Sequence, residues 1–202
     1  MNKKERIILS SIEFMKSGIN FSNIKVKDIA EKADIGKGTI YEYFDSKEDI
    51  FFNAILYIVD MLIEKTDKMY SDGKFEDLFL KNIYMYNELV KEYKSIITLF
   101  IFDMNTFSVS KENMLEINEK IDVLKALILK KFHENIKIAI EENIIYEDID
   151  LQTAEFAVMS IAVAIFRYNS LGGKDIWKFE NKMSFEEYSK FLYSRFIKII
   201  SE

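Results

Sequence analysis

Residues 26–44, "VKDIAEKADIGKGTIYEYF", contain two short helical patterns separated by a turn. The first places Val26, Ile29, Ala30 and Ala33 at the i, i+3, i+4 and i+7 spacing of one buried helix face. "ADIG" at 33–36 predicts a tight turn, because Asp34 tolerates a left-handed backbone. The second pattern covers about 37–44. A short helix, a turn and a second short helix form the helix-turn-helix arrangement.

Helical periodicity also dominates the rest of the chain. We expect helices over about 3–17, 26–33, 37–44, 47–70, 75–92, 95–107, 112–143, 150–171 and 184–201. Ser46 is predicted to cap the fourth of these, with Asp49 three residues later completing a capping box. No stretch shows the sustained alternation of strands joined by hairpin turns. The predicted fold is all-α, with about nine helices.

The composition is that of an ordinary soluble protein. The 202 residues are 49% hydrophobic and 31% charged, and the chain has neither cysteine nor proline. Without cysteine, a disulfide framework and a thiolate metal site are excluded. The longest apolar run, at 96–102, falls far short of the roughly 20 residues that span a bilayer, and no signal peptide is recognisable. We therefore expect a cytoplasmic protein without a membrane partner.

The charge is unevenly distributed along the chain. The net charge of −6 gives no general support for nucleic-acid binding. Residues 1–53 hold nine basic and nine acidic residues, so this segment is neutral and the remainder carries the whole negative charge. The segment with the helix-turn-helix pattern is thus the less acidic part of the chain.

The stretch 26–55, "VKDIAEKADIGKGTIYEYFDSKEDIFFNAI", resembles the DNA-binding domain of the TetR family of bacterial transcriptional repressors. The similarity rests on the Ile29-Ala30 face, on Gly-Thr-Ile-Tyr-x-Tyr-Phe at 38–44 and on Ser-Lys-Glu at 46–48, and it extends over residues 7–55. The remaining three quarters resemble the family only in length and helical character. The resemblance implies a DNA-binding domain over 1–46 and an effector-binding and dimerisation domain over 47–202.

Three positions depart from the family pattern. Asp34 stands where the family usually has glycine, Lys25 where it has a serine or threonine N-cap, and Gly36 where it has serine. Gly36, for example, is only a weak N-cap. We expect the three differences to affect the local geometry of the unit and not the type of domain.

The resemblance, together with side-chain chemistry, predicts the DNA contacts. The second helix of this unit enters the major groove, with its first residues on base edges. Lys37 can bond guanine, Tyr41 can pack on a thymine methyl, and Gly38 lets the backbone approach DNA closely. Phosphate contacts are expected from Lys25, Lys27, Thr39, Tyr43 and Lys47. Ile40 and Phe44, four residues apart, should face inward.

Two alternatives remain open on this segment. Glu42 can accept a hydrogen bond from cytosine N4, or it is a residue tolerated at the rim of the interface, where phosphate repels it. Tyr41 and Tyr43 could also be ordinary packing residues of an amphipathic helix.

Beyond residue 55 the chain is rich in aromatic residues and methionine. Phe100, Met104 and Phe107 recur at i, i+4 and i+7, and a second apolar stripe includes Phe156, Met159 and Val163. Such stripes usually form core. In the resembled family, however, the larger domain encloses a cavity for an apolar or amphipathic effector, which soft side chains suit. The candidate lining residues are Tyr84, Phe100, Met104, Phe107 and Met159.

The last two helices are the candidates for dimerisation. The resemblance implies that two helices from each subunit form a four-helix bundle. Small residues such as Ala157 and Ala164 permit close packing, and Tyr188, Leu192 and Phe196 follow one face of the last helix. Ordinary packing within the chain is the alternative.

No catalytic set is recognisable. His133 is the only histidine and lacks a neighbouring ligand pattern, so we expect neither a metal nor a cofactor.

The sequence predicts a homodimeric transcriptional regulator that binds double-stranded palindromic operator DNA. A repressor is favoured over an activator, and a small-molecule effector is expected to release it from the DNA. The alternative is a DNA-binding regulator whose larger domain binds a protein; an enzyme has no support.

Overall fold

The computed structural model describes residues 1–19, 21–70, 72–102, 110–146, 149–170 and 183–201. Within these ranges the fold is all-α, as predicted, and no strand is present. A single 3-10 turn, Phe21–Asn23, precedes the second of the eight α-helices. The helices are α1 (Lys3–Lys16), α2 (Val26–Lys32), α3 (Lys37–Ile40), α4 (Lys47–Asp67), α5 (Phe75–Phe102), α6 (Lys111–Glu141), α7 (Leu151–Ser170) and α8 (Phe185–Ser201).

The count of eight instead of nine arises in α5. Helices were predicted at 75–92 and 95–107, whereas the observed helix continues through Tyr93 to Phe102. Tyr93 has φ −112° and ψ 16°, so the helix is kinked where the break was expected. The predicted end of the second helix, at 103–107, lies outside the described residues.

The helix α3 ends earlier than predicted. Its α-helical residues are only Lys37–Ile40, not 37–44. The amide groups of Tyr41, Glu42 and Tyr43 each bond a carbonyl three residues back, at 3.0–3.2 Å. These i→i+3 bonds tighten the end of a helix, so residues 41–43 form a turn instead of a further α-helical turn.

One compact unit consists of residues 1–66 and 95–126. Its core includes Ile7, Ile29, Ile50 and Ile55, all at most 2% exposed. The Ser95 hydroxyl donates to the Lys16 carbonyl at 3.2 Å, which joins the end of α5 to the end of α1. An ion pair between Lys120 and Asp60 joins α6 to α4. The predicted domain boundary after residue 46 stays a prediction.

A second compact unit consists of residues 67–94 and 127–202. In its described part, α7 and α8 pack on each other and on α6 around a core cluster. This cluster comprises Phe75, Ile136, Ala139, Ile145, Ala154, Ala157, Phe196 and Ile200. The Phe75 N–H donates to the Glu142 carboxylate at 3.1 Å, so the start of α5 meets the end of α6.

Candidate DNA-binding surface

The buried face of the helix-turn-helix unit fixes the recognition segment, residues 37–43. Ile29 and Ala30 of α2 and Ile40 of α3 are at most 3% exposed, and Phe44 is 2% exposed. Ile40 and Phe44 therefore face inward, as the spacing predicted. Because Ile40 and Phe44 anchor the recognition segment in the core, its other side chains face solvent.

The turn between α2 and α3 has the predicted left-handed residue. Asp34 has φ +52°, and the next amide, of Ile35, donates to the Ala30 carbonyl at 3.0 Å. Arg6 of α1 donates from one nitrogen to both the Asp34 carbonyl and its carboxylate, at 2.9 and 3.0 Å. The arginine thus holds the turn that orients α3.

The outward face of the recognition segment is polar and aromatic. Lys37, Gly38 and Glu42 are exposed, and Thr39 is half-buried. Tyr41 and Tyr43 expose 51% and 40% of their surface. Since buried packing would hide these rings, their exposure favours a binding role over ordinary core packing. A Cβ added at Gly38 would meet no atom within 4 Å, so the surface there is open.

The predicted phosphate-binding lysines flank this segment. Lys25 and Lys27 are exposed at the start of α2, where the Lys25 N–H donates to the Asp28 carboxylate at 3.1 Å. Lys47 is half-buried and its ammonium donates to the Ile24 carbonyl at 3.2 Å. Lys47 thus joins the start of α4 to the residues before α2, a structural contact that sequence reasoning missed.

The start of α4 has the predicted cap, with one difference. The Ser46 hydroxyl accepts from the Asp49 N–H at 3.0 Å, as expected. The Asp49 carboxylate accepts from the Asp45 N–H at 3.0 Å, where a capping box would have it accept from the Ser46 N–H. Two hydrogen bonds to Asp49, one through its N–H and one through its carboxylate, therefore fix the backbone just after the recognition segment.

Of the five predicted effector residues, the structure describes the side chains of two, Tyr84 and Met159. Tyr84 is 39% exposed and meets the Phe185 ring edge-on, with centroids 5.2 Å apart. Met159 is 64% exposed on α7. The Phe100 side chain, Met104 and Phe107 lie outside what the structure describes. A pocket formed by these five residues stays a prediction.

The predicted dimer residues pack inside the chain. Ala157, Leu192 and Phe196 are at most 5% exposed. Ala164 and Tyr188 are half-buried and joined to each other by a hydrogen bond from the Tyr188 hydroxyl to the Ala164 carbonyl, at 3.3 Å. As placed, these side chains offer little surface to a second subunit.

A different face of α7 is exposed and apolar. Phe156, Met159 and Val163 expose 71%, 64% and 61% of their surface. Their i, i+3, i+7 spacing puts them on one side of the helix, which we call the α7 stripe. The sequence pattern showed this stripe but did not show that it points away from the core.

The helix α7 is also the one helix in the described ranges that is long and apolar enough to cross a bilayer by length and composition. A single helix of this kind is weak evidence for a membrane span. Its opposite side, with Ala154, Ala157 and Ile165, is buried in the second unit.

Residues 19–54 match the sequence model of the family described as "Bacterial regulatory proteins, tetR family". A curated relative, the uncharacterized HTH-type transcriptional regulator YerO of Bacillus subtilis (strain 168), is 27% identical over 199 residues. The match covers 96% of this chain and 63% of that protein, so the chain spans less than two thirds of its relative's length.

Solved structures share the fold over nearly the whole chain. The regulator FadR of Bacillus subtilis, solved in complex with stearoyl-CoA, aligns with a TM-score of 0.61 at 18% identity, covering 98% of this chain and 97% of that one. The fatty acid degradation regulator FadR of Bacillus halodurans gives 0.65 at 18% identity, covering 98% and 95%. A putative TetR family regulator of Vibrio parahaemolyticus gives 0.66 at 13% identity, covering both chains fully. At such identities these likenesses show the fold alone.

Proposed function

We propose that this chain, which belongs to the TetR family of bacterial transcriptional regulators, is a homodimeric repressor. Each subunit would insert residues 37–43 into a major groove of a palindromic operator, because two-fold protein symmetry requires two-fold symmetry in the site. A small apolar or amphipathic effector would release it. No step in this cycle requires a chemical reaction.

The observation that carries the proposal is the two-sided recognition segment. Ile40 and Phe44 are held in the core, while Lys37, Tyr41 and Tyr43 project into solvent. A rigid segment with a lysine and two aromatic hydroxyls outward suits contacts to base edges and phosphates.

The proposed dimer interface is the α7 stripe. Three large apolar side chains with more than 60% of their surface exposed, on one face, are typical of an interaction site. We assign a second copy of this chain as the occupant, since α7 and α8 pack as a pair and a two-fold axis would complete a four-helix bundle. Ala157, Leu192 and Phe196 would then support this face from inside the subunit.

The proposed class of effector is supported by a solved structure of similar fold, the Bacillus subtilis regulator FadR in complex with stearoyl-CoA. By analogy, the larger domain of this chain would bind a molecule with an apolar tail. Such a ligand releases DNA only if it binds the two conformations of the regulator with different affinity.

The test is a selection of bound sequences from random double-stranded DNA, followed by titrations at several salt concentrations. We expect a palindromic motif and an affinity that falls steeply with salt, because phosphate contacts release counterions. Enrichment of no motif, or association independent of salt, would reject DNA binding as the function.

A further inference from the structure

Two side-chain oxygens in the second compact unit are buried without a donor. Asn82 of α5 and Asn135 of α6 are 9% and 8% exposed, and the Oδ1 atom of each has no hydrogen-bond partner among the described residues. The Asn82 Nδ2 donates to the Tyr70 carbonyl at 3.3 Å, which favours the orientation that leaves Oδ1 without a donor. A buried acceptor left unpaired keeps its full desolvation penalty, so a donor is expected at each oxygen.

Counting residues from one contact places the two asparagines at similar heights on α5 and α6. The Phe75–Glu142 hydrogen bond fixes where the start of α5 meets the end of α6. Asn82 lies seven residues after Phe75, and Asn135 lies seven residues before Glu142. Seven residues correspond to about 10.5 Å along each helix. Since the two helices run in opposite directions from this contact, both asparagines are at about the same distance from it.

The core next to this level is aromatic. Phe79 and Phe132, one turn from the asparagines on their respective helices, are partly buried and pack against the core cluster that holds Phe196. The rings of Phe79 and Phe196 lie 4.9 Å apart, and those of Phe132 and Phe196 lie 6.4 Å apart. An apolar environment therefore adjoins the two acceptors.

The buried polar groups of this unit are all uncharged. In its described ranges they are Asn82, Asn87, Asn135 and Ser189. Asn87 already accepts from the Asn169 amide at 2.9 Å, and Ser189 donates to the Glu186 carbonyl at 2.8 Å. Among these residues there is neither a buried cation to pair with an acidic head group nor a buried anion to pair with a basic one, so the two free acceptors favour a neutral donor.

We propose that Asn82 and Asn135 bind the hydrogen-bond donor of an uncharged amphipathic ligand, such as a hydroxyl at the end of an alkyl chain. The inference rests on the proposed function, in that this ligand would be the effector or an analogue of it. Two sources of a donor are possible, a ligand hydroxyl and a structural water, and the experiment separates them.

The experiment compares three probes with the same tail on the full-length protein without DNA. They are 1-decanol, which donates a hydrogen bond, decyl methyl ether, which only accepts, and decanoate, which is charged at pH 7.5. Binding is measured by thermal shift and by calorimetry. We expect decanol to bind about fivefold more tightly than the ether for each hydrogen bond formed, and decanoate to bind most weakly.

Matched variants identify the acceptors. Asn82→Leu and Asn135→Leu keep the branched shape of the side chain, remove the acceptor, and should reduce the preference for decanol over the ether to about one. Asn87→Leu, at a buried asparagine on α5 whose oxygen already has a partner, should retain the preference. Loss of the preference in this control alone would overturn the assignment.

The comparison in the wild-type protein remains informative even if a variant fails to fold. Equal binding of decanol and the ether, or binding of neither, would overturn the proposal and leave the two oxygens to structural water. This result is independent of the DNA selection: failure to recover an operator would reject the proposed function without changing the preference for an alcohol.

Discussion

Arg6 holds the turn of the helix-turn-helix unit through two hydrogen bonds to Asp34, one to its backbone carbonyl and one to its carboxylate. Asp34 has φ +52°, a left-handed conformation that aspartate tolerates but adopts less readily than glycine. The family pattern has glycine at this position. Arg6 thus compensates, from α1, for the residue that this chain has at the turn.

This relationship predicts unequal effects of two substitutions. Arg6→Ala removes both hydrogen bonds and should lower the free energy of unfolding by about 1 kcal/mol. Asp34→Gly loses an ion pair whose carboxylate is 96% exposed, which contributes little, and glycine adopts the left-handed conformation more readily. We expect a change within about 0.5 kcal/mol. Chemical denaturation measures both, and greater destabilisation by Asp34→Gly would contradict the prediction.

Gly38→Ala should separate folding from DNA binding. The added methyl would meet no protein atom within 4 Å, and alanine favours a helix by about 0.5–1 kcal/mol over glycine. The melting temperature should therefore stay or rise. If the backbone approaches DNA at this point, operator affinity should fall about tenfold, equivalent to about 1.4 kcal/mol. Unchanged affinity in a fluorescence anisotropy titration would place Gly38 outside the interface.

Lys47→Ala should weaken binding about equally on all DNA sequences. The ammonium donates to the Ile24 carbonyl, and we expect this half-buried lysine to contact a phosphate when DNA is bound. The slope of log affinity against log salt should then decrease in magnitude by about 1. Lys125→Ala, at an exposed lysine of α6 paired with Asp122, is the control and should leave the slope unchanged. A lower melting temperature with an unaltered slope would restrict Lys47 to its structural contact.

Substitution of Glu42 distinguishes a contact to a base from a position at the rim of the DNA interface. Its carboxylate is exposed beside the tyrosines, and we expect phosphate repulsion to be its main effect. Glu42→Ala should then tighten binding severalfold on every sequence, as an exposed charge contributes about 1 kcal/mol or less. Parallel selections with the two proteins provide the measurement. Relaxed preference at a single base pair would instead assign Glu42 to cytosine.

The local features of the DNA-binding segment could be predicted because each depends on a few neighbouring residues. The spacing of Ile29, Ala30, Ile40 and Phe44 determined the buried face, and Asp34 marked the left-handed turn. The end of α3 could not be predicted in this way. The i→i+3 bonds at residues 41–43 replace the α-helical pattern without changing which side chains are apolar.

The orientation of α7 could not be predicted because both of its sides are apolar. Small residues such as Ala157 suggested an interface with a second chain, and large ones such as Met159 suggested a pocket. In the structure the small residues pack inside the subunit and the large ones are exposed. The side of α7 that faces out is determined by the packing of α7 against α8 and the core cluster. The periodicity of the α7 sequence contains no information on this packing.

The α7 stripe predicts where a charge should separate the subunits. Phe156→Glu and Val163→Glu place carboxylates on a face that a second copy would cover, and burying an unpaired charge is strongly unfavourable. We expect each variant to remain folded, because these positions are mostly exposed in the single chain. Sedimentation velocity should nevertheless show a monomer at micromolar concentration. Leu115→Glu, at a residue of α6 that is 63% exposed, is the matched control and should remain dimeric. A monomeric wild-type protein, or dimers that persist in both α7 variants, would reject this interface.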